Sequence, residues 1–150
     1  MPAGSGLWPA GWLIPVEGNA PPELDILEGL MHQPSVAKVN AHKRTTRPGA
    51  YSDQMGPKSI TLAKPMTERH TYGAHVKTDG VDFYIDGKLA TQADASYVPD
   101  RPMYLICNLA VNGSWPRDAK ALVNDQTKFP ATMTIHAARL WEGGLSWLSV

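Results

Sequence analysis

The sequence predicts an all-β sandwich, and three observations carry that prediction. Thirteen glycines and thirteen prolines are scattered in small clusters between short apolar stretches, which suits many short strands joined by turns better than long helices. In "GVDFYIDGK", Val81, Phe83 and Ile85 alternate with Asp82, Tyr84 and Asp86, the period-two pattern of a half-buried strand running into an Asp86-Gly87 hairpin turn. "MYLICNLAV", residues 103 to 111, is short and apolar at nearly every position, as expected of a strand covered on both faces in the middle of a sheet.

Two further segments complete the expected layout. "TMTIHAARLWE" places Met133, Ile135, Ala137 and Trp141 on one alternating face after the break at Pro130, predicting another strand. Residues 43 to 58, "KRTTRPGAYSDQMGPK", are polar and rich in turn formers, predicting an exposed loop. A chain of 150 residues suffices for one domain, residues 1 to 150, that buries roughly two thirds of its unfolded surface.

Composition narrows the function classes. Fourteen Lys and Arg balance fourteen Asp and Glu without any block of one sign, so nothing draws the chain electrostatically to nucleic acid or to an anionic membrane. No apolar run approaches the roughly 18 residues that a membrane span requires. "MPAGSGLWPAGWLIP" lacks the basic opening and unbroken apolar stretch of a signal peptide. The single cysteine, Cys107, cannot pair internally and reads as a buried structural thiol. His32, His42, His70, His75 and His136 show no paired-ligand spacing, which argues against zinc chemistry.

The segment most loaded with chemistry is "PPELDILEGLM", residues 21 to 31, with Glu23, Asp25 and Glu28 inside six positions. Periodicity leaves two readings open. Two prolines at a first turn and Leu24, Leu27, Leu30 and Met31 spaced by three and four fit a short amphipathic helix with its carboxylates in water. As a strand, the segment sends Glu23 and Asp25 to one face with Leu24 and Ile26 facing the core, but Glu28 has the wrong parity. One extra residue in a β-bulge near Ile26-Leu27 returns Glu28 to the face of the other two, a known way of re-aiming side chains beside active sites. Such a cluster suits glycoside hydrolysis with retention, in which two carboxyl groups about 5 to 5.5 Å apart flank the scissile bond. One attacks as a carboxylate while its partner keeps a proton, and repulsion between them helps hold the two states apart.

"GLWPAGWLIP" followed by "PPELDILEG" resembles the core of glycoside hydrolase family 16, whose signature is a Glu-x-Asp-x-x-Glu strand preceded by a Trp-Pro-Ala-x-Trp strand. "HTYG" at 70 to 73, "VDFYIDGK" at 81 to 88, "PMYLICNLAVNGSWP" at 102 to 116 and "FPATMTI" at 129 to 135 follow in the family's order, and with them the strand reading is favoured. The resemblance implies a curved, concanavalin A-like jelly-roll sandwich with the glycan in a cleft on its concave face. It implies Glu23 as nucleophile, Asp25 as assisting carboxylate and Glu28 as general acid/base. Trp8, Trp12, Asn108 and Trp115 occupy positions that resemble substrate-binding cleft residues, and His42 resembles a histidine on the leaving-group side. The implied activity is endo-hydrolysis, with retention, of β-1,3-glucan, mixed β-1,3-1,4-glucan or a bacterial exopolysaccharide. A non-catalytic glycan-binding module of a larger protein is the alternative.

Departures from the family set further expectations. The catalytic strand begins at residue 23, so the strands that should precede it are expected to be missing, leaving edges able to pair with an absent N-terminal segment or another chain. Val76 stands where relatives usually carry a Trp, which reduces aromatic packing behind the cleft. His136 stands where the family commonly has an Asp beside a structural calcium, so calcium is doubtful and cofactor-free catalysis is expected. By resemblance alone, the setting is extracellular, cell-surface or virion-associated.

Overall fold

The computed structural model describes residues 1 to 113 and 122 to 142. In chain order its strands are β1 (Leu7–Pro15), β2 (Glu23–Gly29), β3 (Val36–Lys43), β4 (Asp53–Gln54), β5 (Lys58–Thr61), β6 (Tyr72–Val76), β7 (Gly80–Ile85), β8 (Lys88–Asp94) and β9 (Met103–Val111). They form two antiparallel sheets. The larger runs β4-β3-β2-β1-β9, with β5 also pairing to β3, and the smaller runs β6-β7-β8. A 3-10 turn, Ala95–Tyr97, is capped by the Asp94 side chain, which accepts from the Ser96 amide. Among the described residues no helix is long and apolar enough to cross a membrane.

The core lies between the sheets, as period-two burial demands. Leu24, Val39 and Ala41 of the larger sheet pack against Val81, Phe83 and Ala93 of the smaller. A second cluster joins Leu7, Leu27, Met31, Ala37, Met66 and Ile85. The predicted hairpin is present: Ile85 pairs with Lys88, and Asp86 and Gly87 both take positive φ, 50° and 72°, as a two-residue turn matched to strand twist requires. β7 is buried along its whole length rather than on alternate residues. It is the central strand of its sheet, and on its polar face Asp82 is covered by Lys77 Nζ at 3.1 Å and Gln92 Nε2 at 2.7 Å.

Three expectations are corrected. β9 is not mid-sheet: among the described residues it pairs only with β1, and Tyr104, Leu105 and Cys107 are exposed. Apolar composition makes a residue suitable for burial, but a neighbouring layer must supply the cover. For the same reason residues 132 to 142 form no strand. Ile135, Leu140 and Trp141 are exposed, and the segment beginning at Phe129 faces β9 across a hollow of about 520 Å³ without joining its ladder. The 43 to 58 loop is not wholly free, because β4 folds back onto the end of β3 through His42–Gln54 and Lys43–Asp53.

Phe83 is fully buried at the meeting of the sheets. Phe83→Ala should destabilise the fold by about 3–5 kcal/mol, seen as a lower urea midpoint at unchanged slope, whereas Leu89→Ala on exposed β8 should stay within about 0.5 kcal/mol.

Candidate active site

One surplus residue in β2 builds the site. Against β3, Asp25 stands opposite Asn40 and Glu28 opposite Lys38, so three steps along β2 match two along β3. Against β1, Asp25 stands opposite Trp12 and Leu27 opposite Gly11, which locates the extra residue at Ile26. This is the bulge that the Glu-x-Asp-x-x-Glu spacing calls for, and it brings Glu28 to the face of Glu23 and Asp25. Leu24 and Leu27 are the core-facing partners on β2, while Ile26 is only half-buried. The expectation that Ile26 faces the core is corrected: the bulge hands that place to Leu27.

Neighbouring strands hold the carboxylates. On β1, Trp8 donates its indole N–H to Glu28 Oε1 at 3.2 Å. Gly113 makes room for that indole, since a Cβ there would stand 2.9 Å from the Trp8 ring. Trp12 donates to Asn108 Oδ1 at 2.9 Å, which joins β1 to β9. On β3, His42 sits opposite Glu23, with Nε2 3.1 Å from Asp25 Oδ2 and 3.7 Å from Glu23 Oε1. Its contacts are therefore at the Glu23 end of the row and not beside Glu28. Trp115 lies outside the described residues, and His136 is exposed in the strandless segment.

The loop leading into β4 contributes residues that sequence reasoning missed. Tyr51 donates its phenol to Glu23 Oε2 at 2.8 Å. Ser52 Oγ lies 2.8 Å from His42 Nδ1, and Gln54 Oε1 accepts from Asn40 Nδ2 at 2.9 Å. Asn40 also approaches His42 Nε2 at 2.9 Å. The "NAH" triplet carried a usable signal for Asn40, since residues two apart on a strand share a face. Tyr51, Ser52 and Gln54 carried none, because a polar loop has no period from which to read direction.

Charge and burial separate the two glutamates. Burial, reinforced by the Asp25 charge and opposed by the Trp8 N–H, pushes Glu28 up to about 8, so its carboxyl keeps a proton at neutral pH. Burial and Asp25 also raise Glu23, but the Tyr51 hydrogen bond and the His42 charge pull the other way. Burial opposes charge on His42, yet the hydrogen bond and charge of Asp25, with Glu23 and Glu28 behind it, hold its pKa above the ordinary value. The arrangement thus offers a protonated carboxyl and a more readily ionised one on the same face of the sheet. Glu23, Asp25 and His42 also bring donor atoms within 4.8 Å of one another. Each also has a hydrogen-bond partner inside the cluster or on the adjoining loop.

Comparison with known proteins identifies the family. Residues 1–130 match the model of Glycosyl hydrolases family 16. The endo-1,3-1,4-β-glycanase ExsH of Rhizobium meliloti is 34% identical over 125 residues, covering 81% of this chain and 25% of that protein. The solved endo-β-1,3-glucanase of Pyrococcus furiosus superposes with a TM-score of 0.70 at 29% identity, over 86% of this chain and 52% of that one. The laminarinase catalytic domain of Thermotoga maritima gives 0.69 at 28%, over 85% and 55%. The chain thus spans about a quarter of the Rhizobium protein's length and about half of each solved chain. With the paired sheets of a jelly-roll sandwich and the family model matched through residue 130, the chain belongs to glycoside hydrolase family 16.

Proposed function

We propose that this chain carries the catalytic centre of an endo-acting β-glycanase that cleaves with retention. The supporting observation is the bulge at Ile26, which gathers Glu23, Asp25 and Glu28 on one face while burial keeps the Glu28 proton in place. Names of the relatives support the substrate class, since they include endo-1,3-1,4-β-glycanases and endo-1,3-β-glucanases. The substrate proposed is accordingly β-1,3-glucan, mixed β-1,3-1,4-glucan or a bacterial exopolysaccharide with such linkages.

In the first displacement, Glu23 attacks the anomeric carbon as a carboxylate while Glu28 gives its proton to the departing glycosidic oxygen. A glycosyl ester on Glu23 and a shortened glycan result. In the second, Glu28, now a carboxylate, takes a proton from water whose oxygen attacks the same carbon and frees Glu23. Two inversions give net retention. Asp25 contributes in both halves: its charge, after burial, is the largest influence raising Glu28, and its contact with His42 fixes the Glu23 end of the row. Trp8 holds Glu28 in place, and Trp12 with Asn108 supplies an aromatic and amide surface suited to a sugar face. These steps draw only on side chains and water, so no cofactor is invoked.

Glu23→Ala and Glu28→Ala should each lower reducing-sugar release from laminarin, mixed-linkage glucan or exopolysaccharide by at least about 10³-fold. Unchanged release in either variant would sink the assignment, and glycan binding in calorimetry without any sugar release by the parent chain would favour a binding module instead. A second prediction concerns pH. The wild-type kcat/KM profile should fall on its alkaline side near pH 8, where Glu28 loses its proton.

Stability should carry the same signature. A carboxyl raised from 4.5 to about 8 on folding favours the folded state while protonated, and that contribution is lost as pH climbs through the window between those values. Glu28→Gln removes the cost of burying the ionised form. It should raise Tm by at least about 4 °C near pH 9 and by little near pH 5, as read by thermal melts; equal shifts at both pH values would contradict the buried-proton account.

A further inference from the structure

Glu23 is gripped from two sides. Its Oε1 faces His42 Nε2 at 3.7 Å, and its Oε2 accepts the Tyr51 phenol at 2.8 Å. The strand side of this grip belongs to the sheet. The other side comes from the segment between β3 and β4, and Tyr51 is more than half exposed although its hydroxyl reaches a buried cluster. The ring stands edge-on to His42, with centroids 6.2 Å apart and planes at 69°. Its sequence neighbour Ser52 bonds to His42 Nδ1, and Gln54 bonds to Asn40, so three residues of one short stretch grip three polar groups of the cleft. Arg47 ties the stretch to itself by bonding both the Ser52 carbonyl and the Asp53 carboxylate.

We propose that Tyr51 is a positioning residue for the attacking carboxylate: its phenol, carried on the loop before β4, holds Glu23 in one rotational orientation. The inference rests on reading Glu23 as the nucleophile. A carboxylate turned about its last bond points its lone pairs away from the anomeric carbon, so fixing that rotation favours attack. The hydrogen bond is to a charged acceptor and favours the ionised state, which is the state that reacts. Titratable groups facing Glu23 are Asp25 and Glu28 on its own strand, His42 on β3 and Tyr51 itself. Of these, Asp25 disfavours charge on Glu23, while His42 and Tyr51 favour it. Removing the phenol therefore leaves His42 alone against burial and the Asp25 charge.

Tyr51→Phe keeps the ring against His42 and deletes only the hydroxyl. It should lower kcat about 10-fold with KM within about twofold, and move the acid limb of the kcat/KM profile to higher pH by about half a unit to one unit. Carbon-13 NMR of the Glu23 carboxyl should show the same upward move in the variant, and this reading needs no turnover. An unmoved Glu23 titration would overturn the proposal, as would a variant whose kcat and acid limb both match the parent. If the parent chain released no sugar from any glucan while Glu23 still titrated higher in Tyr51→Phe, the contact would stand and the glycosidase reading would fall. The Tyr51 ring is exposed on a loop outside the core, and matching thermal melts of the two proteins exclude unfolding as the cause.

Discussion

A surplus residue at Ile26 governs the rest of the molecule's chemistry. In a straight strand Glu28 would share a face with Leu24, inside the packing against Val81 and Phe83, where an unpaired carboxyl is expensive. The bulge shifts parity once, so that Leu27 takes the core position and Glu28 joins Glu23 and Asp25. Both flanking strands register the same shift, against Gly11-Trp12 on one side and Asn40-Lys38 on the other. The distortion is thus held by two ladders, and straightening it would break pairing on both sides.

Concentrating three carboxyl groups in so little space carries a charge cost, and the distribution of donors determines where it falls. Glu28 has the Trp8 indole, a neutral donor on a rigid strand, and stays proton-bearing. Asp25 has the His42 ring, itself held above its ordinary pKa by the surrounding carboxylates. Glu23 has a phenol on one oxygen and the His42 ring near the other. Three similar acids therefore meet three different environments, and differing environments are how carboxyl groups of one cluster come to take opposite parts in proton transfer.

How much of this was legible follows from whether a feature is local. The Glu-x-Asp-x-x-Glu spacing contains its own parity conflict, so the bulge could be inferred before any coordinates, as could the Asp86-Gly87 hairpin with its two positive φ values. The all-β architecture follows from turn residues and alternation. β9 and residues 132 to 142 were misread because burial on both faces and strand pairing both depend on a neighbour, which no local pattern specifies. Cys107 fell with β9: it is exposed, not a core thiol. Tyr51 was invisible for the opposite reason, since its importance comes from a hydrogen bond across 28 positions of chain from a loop without periodicity.

The supports of the two glutamates differ in kind, and the difference matches the parts proposed for them. In the proposed mechanism Glu28 gives and retakes a proton in place, and an indole from β1 in a mostly buried setting suits that part. Its pKa depends on that burial, and a support that let water in would lower it. In the proposed mechanism Glu23 becomes an ester and reverts, changing its charge, its bonding and the space it needs within each turnover. The Tyr51 phenol reaches Glu23 from an exposed loop, outside the strand ladders, at the end of the cluster where the proposed mechanism puts the covalent chemistry.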